Sequence, residues 1–551
     1  MGISPITAAV LVGRGIRDTE QADTFVRASF DDLHDPFLLS GMDRAVGRIL
    51  KALRDGEKIF VYGDYDADGI TSTALLTDFF RDLKKEIYYY IPGRLEEGYG
   101  LNTRALAEIR ARGAGLVITV DCGVSSAAEV EAARGMGMDV IVTDHHEPPD
   151  TLPDAVAVIN PGLKGSEYPF RHLSGVGVAL KLAQAVKAGL EGRTSAGPGL
   201  DPSFSKYLDL VALGTIADVV PLRGENRVLV KHGLEVLRGA RRPGIKKLVE
   251  VARLSSSRAF GAGTVAFQLA PRLNASGRIG KADMGVRLLL TEDLAEALSI
   301  AIELDSMNRE RQEIEEEILA EAREMACGDE GRSCRSLVLS SRNWHQGVVG
   351  IVASRLVEEF HKPTVLICMD GDTGKGSARS IPAFHLYDGL EKCAANLLAF
   401  GGHKHAAGLS IKGEMLGAFR EQFESHVRGA LSEVDFIPSI RIDGVVSLKD
   451  ITWDLYAELK RFEPFGAGNP EPVLEADGLE ARYPKVVGKG HLKMTLAGNG
   501  RAFGAIGFGM GESCGRLMAG RARVDAAFCL DVNEWQGEKT LQLNLKDIHF
   551  G

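Results

Sequence analysis

The spacing of apolar residues changes character along the chain, and the changes divide it. Residues 1–41 are short and helix-prone, with periodic pieces at Ala8–Leu11 and Gln21–Val26. They read as an N-terminal adaptor packed on the next domain. From Met42 short apolar runs alternate with helix-spaced ones. The runs at Ile59, Ile87–Ile91, Leu116–Val120, Val140–Val142 and Ala155–Ile159 predict strands. Helices are predicted between most of them, and further on at Val178–Val186 and Tyr207–Ala217. Such alternation indicates a parallel sheet wrapped by helices, here over residues 42–290.

Residues 291–330 carry one long helical pattern, capped by Thr291, with a stripe of Leu294, Leu298, Ala301, Leu304, Ile314 and Ile318. The heptad fails between Leu304 and Ile314, so a strut between domains is expected rather than a coiled coil. A second, smaller α/β unit follows over 331–432, with strands at Ser336–Ser340, Pro363–Met369 and Gly374–Ser380. From 433 to 551 the pattern becomes alternating strands with Gly and Asn-Gly turns, notably Gly498-Asn499-Gly500. A five-stranded barrel of the OB type is the expected fold there.

The first strand runs into VYGDYDADGITS, Val61–Ser72. Asp64, Asp66 and Asp68 lie on the turn between strand and helix. Three anions this close repel one another unless a cation sits between them, and Asp66 and Asp68 can point to one side and share it. A helix N-cap with spare acids is the plainer alternative. In open α/β sheets the ligand lies beyond the carboxyl ends of the strands, where Asp121 and Asp144-His145-His146 also fall. Asp218 ends an apolar helix, and a buried acid there needs a metal, an N-cap or an arginine. Asp66, Asp68, Asp121, His145 and Asp218, with Asp64, Asp144 and His146 alongside, can hold two divalent ions about 3.5–4 Å apart. Oxygen donors with one imidazole suit Mn²⁺ or Mg²⁺ better than zinc.

Other chemistries fail on spacing. GDTGKGS at Gly371–Ser377 lacks the P-loop interval, and neither H-E-x-x-H nor G-x-S-x-G occurs. The net charge of −10 argues against a non-specific duplex coater. Seven cysteines without C-x-x-C, no signal-like N-terminus and no long apolar run predict a soluble cytoplasmic protein. Candidate phosphate contacts are Arg94, Tyr99, Asn274 and Arg278. Arg272-Leu273-Asn274 and Gly277-Arg278 read as a polar loop. Lys375, Ser377 and Arg379 share one face if that stretch is extended. Gly401-Gly402-His403 reads as an anion-binding turn. Tyr483, Trp535, Lys485, Lys489 and Lys493 are candidates for binding a trailing strand on the barrel.

The segments GDYDADG, VDCG, TDHH and GTIADVVPL resemble the four phosphoesterase motifs of the DHH family. DLHDPFLL, APRLNASGRIG, GVVGIVASRL, GKGSARS, GGHKHAAG and FEPFGAGNPEP extend the likeness over nearly the whole chain, within the branch of bacterial single-strand-specific exonucleases. The resemblance implies DHH, DHHA1 and OB domains. It implies a monomeric 5′→3′ exonuclease releasing 5′-mononucleotides from single-stranded DNA with Mn²⁺ or Mg²⁺. It also implies recombinational, base-excision and mismatch repair beside a helicase and a single-strand-binding protein. By motif, Asp66, Asp68, Asp121, His145 and Asp218 carry over as metal ligands, and Asp144 and His146 as the rest of the DHH motif. Arg94, Arg278, Ser377, Arg379 and His403 carry over as DNA and 5′-phosphate contacts. The segment before Ile6 is shorter than in that branch.

Two other readings compete. A small-substrate DHH phosphoesterase would hydrolyse oligonucleotides, pyrophosphate or cyclic dinucleotides, but gives a terminal barrel little to hold. A non-catalytic replisome scaffold would not need all five ligands.

Overall fold

The computed structural model describes residues 2–93, 97–98, 100–254, 260–280, 283–328, 333–519 and 523–550. Arg94 and Tyr99, and the boundary expected at 330/331, lie outside these residues.

The first sheet has the order β2-β1-β3-β4-β5, with β1 at Lys58–Gly63, β2 at Tyr88–Tyr90, β3 at Ala114–Val120, β4 at Asp139–Thr143 and β5 at Ala157–Ile159. Every pairing in it is parallel. Its strands are apolar on both faces because helices cover both, which leaves only the strand ends for polar chemistry. The helices Met42–Asp55, Ala67–Asp82 and Gly175–Leu190 seal one face in a core that continues into Leu208–Ala217 and Gly224–Arg238.

Helix Leu294–Cys327 joins the two α/β units. Asp293 is its N-cap, its carboxylate accepting from the N–H groups of Ala295 and Glu296; Thr291 instead bonds Glu296, so the sequence-based cap lies two residues early. Leu294 is exposed, and the buried stripe is Ala297, Ile300, Ala301 and Leu304, then Ile318, Leu319 and Ala322. The gap in the heptad is filled by buried polar groups rather than left to solvent. Asp305 pairs with Arg272 at 2.9 Å, and Glu315 pairs with Arg311 and, at 2.6 Å, with Arg355.

The second sheet has the order β6-β7-β8-β10-β9: β6 Leu337–Ser341, β7 Thr364–Asp370, β8 Thr373–Arg379, β9 Ala399–Gly402 and β10 Ala406–Lys412. Only β6 and β7 run parallel.

At the C-terminus β11 (Gly444–Val445) is a two-residue strand added to the outside of β12. β12 (Leu474–Val487), β13 (His491–Gly498), β14 (Arg501–Gly507), β15 (Arg523–Trp535) and β16 (Glu538–Phe550) close on themselves through the β12–β15 pairing. The Asn499-Gly500 turn joins β13 and β14 with both residues at positive φ, as a two-residue hairpin requires.

The N-terminal adaptor divides in two. Residues 30–39 pack on the first domain, with Leu33 and Leu39 in its core. Helices Pro5–Gly13 and Thr19–Arg27 do not. Val10, Leu11 and Ala22 lie in the core of the C-terminal region with Leu448, Leu455 and Phe462. Ser4 Oγ bonds Glu458 at 2.7 Å, and Arg14 bonds Pro470 O at 2.6 Å. Apolar periodicity shows that a helix has a face to bury, not which distant surface receives it.

Candidate metal centre and substrate cleft

Strand β1 ends at Gly63, and helix Ala67–Asp82 begins four residues later. Asp66 caps that helix, Oδ1 accepting from the N–H groups of Asp68 (3.0 Å) and Gly69 (3.1 Å). Asp68 is already helical, in its first turn, and is buried. Its two oxygens accept from the N–H groups of Gly175 (2.7 Å) and Val176 (2.9 Å), at the N-terminus of helix Gly175–Leu190, where the helix dipole favours an anion. Asp66 and Asp68 therefore face different neighbours. Asp68 stands on the helix rather than on an extended turn, and the two acids fall in different candidate ligand groups.

Asp121 follows β3 and Asp144 follows β4. Asp121 holds φ +61°, a left-handed conformation that a non-glycine residue keeps only when its surroundings enforce it. A Cβ on Gly175 would lie 2.7 Å from Asp121 Cβ, and one on Gly214 would lie 2.7 Å from Asp68 Oδ1. These two glycines let the acids approach their supporting helices.

His145 is the hub. Its Nε2 lies 3.0 Å from Asp121 Oδ1, 3.5 Å from Asp218 Oδ2 and 3.8 Å from Asp68 Oδ2. His146 Nδ1 lies 2.7 Å from Asp144 Oδ1 and 4.0 Å from Asp121 Oδ1. Three groups result whose donor atoms lie within 4.8 Å of one another: Asp68, His145 and Asp218; Asp64, Asp66 and Asp121; Asp121, His145 and His146. Asp121 is common to the last two and His145 to the first and third. Asp64 is thus a full member of the cluster.

The electrostatics suit a cation. Burial, reinforced by Asp66, pushes the Asp68 carboxyl up to about 7. Burial and neighbouring carboxylates push Asp121 and Asp218 well above the usual range. His145 is driven down to about 4 by burial and by His146, so it is the neutral imidazole that a metal requires. Burial opposes the charge on His146, but the Asp144 hydrogen bond outweighs it and carries this imidazole up to about 9. Burial likewise works against ionised Asp144, yet the bond from His146 holds it below the usual range. Asp144 also accepts from the N–H groups of Val124, His145 and His146, so it is a brace for the turn. His145 Nε2 and Asp218 Oδ2 are buried and make no hydrogen bond among the described residues. Hard oxygens, one neutral imidazole and mutual repulsion together fit divalent ions of the Mg²⁺ or Mn²⁺ kind.

A cavity of about 710 Å³ opens between Tyr65 and Gly98 of the first unit and Gln346, Lys375, Ser377 and Gly401 of the second. Lys375, Ser377 and Arg379 do alternate along β8 as expected. Ser377 Oγ and Arg379 Nη2 both pack against Gly350, near the start of helix Val349–Phe360.

Two structural expectations are corrected. Residues 270–279 form a helix, not a loop, and Asn274 Oδ1 accepts from Ala67 N–H at 2.7 Å, so it fastens the acid-bearing turn. In the same helix a Cβ at Gly277 would lie 2.4 Å from Tyr65 O, and Arg278 donates to Gly347 O at 2.9 Å. Gly401-Gly402 is an arm of the β9–β10 hairpin rather than a turn, and the His403 N–H donates to Ala406 O while its side chain is exposed. Gln346 was not foreseen. A lone glutamine after a tryptophan and a histidine carries no motif, and only the fold brings it to the cleft.

Family models match three stretches: residues 58–215 the DHH family, N-terminal domain; residues 335–429 the DHHA1 domain; and residues 442–547 the RecJ OB domain. The chain is 41% identical over 549 residues to the single-stranded-DNA-specific exonuclease RecJ of Bacillus subtilis, covering 99% of this chain and 68% of that one. The crystal structure of RecJ from Thermus thermophilus in complex with Mn²⁺ superposes with a TM-score of 0.84 at 31% identity, covering 99% of this chain and 76% of that one. The structure of the same protein with Mg²⁺ superposes at 0.76 and 29% identity, with 99% and 74% covered.

Proposed function

The chain belongs to the RecJ family of DHH exonucleases, and from that premise we propose the following reading of its centre. It is a single-stranded-DNA-specific exonuclease that uses two divalent ions, Mn²⁺ or Mg²⁺. Asp68, His145 and Asp218 form one ligand group and Asp64, Asp66 and Asp121 the other, with Asp121 reaching between them. Bound there, such ions supply a water ionised near neutral pH and charge compensation at the phosphoryl group.

The residues of the chain do the rest. The helix N-terminus at Gly175 fixes Asp68, and the Asp144–His146 pair locks the turn that aims His145. His146, kept protonated, provides positive charge or a proton at the edge of the cluster. Lys375, Ser377 and Arg379 supply phosphate contacts from the opposite wall. On this reading the cavity between the walls, about 710 Å³, takes one strand end and excludes a paired one. Hydrolysis proceeds 5′→3′ and releases 5′-mononucleotides. The exposed rings of Tyr483 and Trp535 on the barrel suit stacking on the trailing strand. Recombinational, base-excision and mismatch repair, beside a helicase and a single-strand-binding protein, are settings that supply such strands, and the active form is a monomer. Among the described residues no helix is long and apolar enough to cross a membrane.

The carrying observation is the buried acid and imidazole cluster beside a cleft walled by a second domain. The test incubates 5′- and 3′-labelled single strands and duplex with Mn²⁺, Mg²⁺ or chelator. Loss of the 5′ label as mononucleotide, from single strands only and abolished by chelator, is expected. Shortening from the 3′ end refutes the direction, and turnover of two- to five-mers alone refutes the substrate.

A further inference from the structure

Asp218 ends helix Leu208–Ala217, and the residues after it form a tight passage into helix Gly224–Arg238. Val219 in that passage has φ +62° and is exposed. A β-branched residue in the left-handed region is an outlier that must be held in place from outside.

The holding contacts come from more than two hundred residues away. Between helix Trp453–Lys460 and β12, Gly466 and Asn469 exchange both backbone hydrogen bonds, at 2.9 and 3.0 Å, in a tight turn. Leu222 N–H donates to Ala467 O of this turn at 2.7 Å, and Arg223 Nε donates to Gly468 O. A Cβ at Gly466 would lie 2.8 Å from Leu222 Cδ1. One at Gly468, where φ is +67°, would lie 2.9 Å from Pro221 Cβ. The turn has been stripped of side chains where it meets Pro221 and Leu222.

The turn is itself rigidly backed. Asn469 is 1% exposed and donates to Phe462 O at 2.9 Å and Pro464 O at 2.8 Å, while Arg14 donates to its Oδ1. Arg227, buried without a carboxylate partner among the described residues, donates to Phe25 O at 2.8 Å and Phe462 O at 2.7 Å. Against this backing the passage after Asp218 is clamped, and Asn226 Nδ2 holds Pro221 O from within at 3.1 Å.

We propose that the Gly466–Asn469 turn is a positioning element for Asp218, through which the seating of the C-terminal region sets the geometry of the metal centre. The inference rests on the reading of Asp218 as a ligand. It makes Ala467, Gly468 and Asn469 residues that act on the reaction without touching DNA or metal.

The experiment uses the full chain with Gly468→Ala, Asn469→Ala and the surface change Arg223→Ala, which removes only the bond to Gly468 O. Mn²⁺ binding is measured without DNA by the electron paramagnetic resonance of free Mn²⁺. Turnover is measured on a long 5′-phosphorylated strand and on a trinucleotide. Circular dichroism selects the variants that fold. Folded Gly468→Ala and Asn469→Ala should bind one Mn²⁺ about ten-fold more weakly and lose about ten-fold in kcat on both lengths. Arg223→Ala should shift both quantities the same way by less. Wild-type Mn²⁺ affinity and wild-type trinucleotide turnover in every folded variant, with only KM for the long strand raised, overturns the proposal: the turn then merely seats the barrel. Asp218→Asn separates the two readings. If it leaves Mn²⁺ binding unchanged, the ligand assignment fails first.

Discussion

The two sheets present their polar groups by opposite means. The first is parallel and covered on both faces, so its functional side chains stand beyond the strand ends, on turns. Each is fixed by backbone: Asp66 by the helix it caps, Asp68 by the Gly175 helix, Asp144 by three amides. The second sheet is mixed, and β8 offers Lys375, Ser377 and Arg379 along one strand face. The first arrangement holds charges together against their repulsion. The second lets separate side chains reach a ligand independently. Damage to the first should therefore appear in the chemical step and damage to the second in binding.

The most severe test of this contrast is Asp121→Ala. Its carboxyl stands in two of the ligand groups, and its removal should lower kcat on the order of 10³-fold or more. Because burial and neighbouring acids disfavour its charge, the thermal midpoint should hold or rise. Unchanged turnover would break the assignment. Next is Gly175→Ala. The added methyl falls 2.7 Å from Asp121 Cβ, and a displacement of the acid should cost about 10²-fold in kcat with KM little changed. Arg379→Ala should raise KM by about ten-fold, the worth of one charged hydrogen bond, and leave kcat alone. A fall in kcat instead would erase the distinction between the two sheets. The smallest effect is expected at the barrel. Trp535→Ala should weaken binding of a long strand by about 1 kcal/mol, read by fluorescence anisotropy, and leave trinucleotide turnover untouched.

The same contrast explains what could be read from residues alone. Most of the acids lie at the ends of strands whose apolar runs are unambiguous, and Asp218 ends an apolar helix, so the parallel sheet and the convergence of Asp64, Asp66, Asp68, Asp121, His145 and Asp218 were legible. Their division among groups was not, because it depends on Asp68 being the second residue of the helix, two past the cap. Supporting contacts were invisible for another reason. Asn274 reads as part of a polar loop and Gly175 as a turn residue, and only packing shows that one bonds Ala67 and the other makes room for Asp121. The interrupted heptad signalled a gap in the apolar stripe of the long helix, but not that Asp305, Arg311 and Glu315 would be buried there.

The packing of Val10, Leu11 and Ala22 among residues of the barrel region has a consequence for synthesis. The surface that covers these helices is translated about 450 residues after them. At about 5–20 residues per second the wait is roughly 20–90 s. Through that interval the nascent chain carries an uncovered greasy face, so chaperone dependence should concentrate there, and a fragment ending before the barrel should gain solubility when residues 1–27 are removed as well.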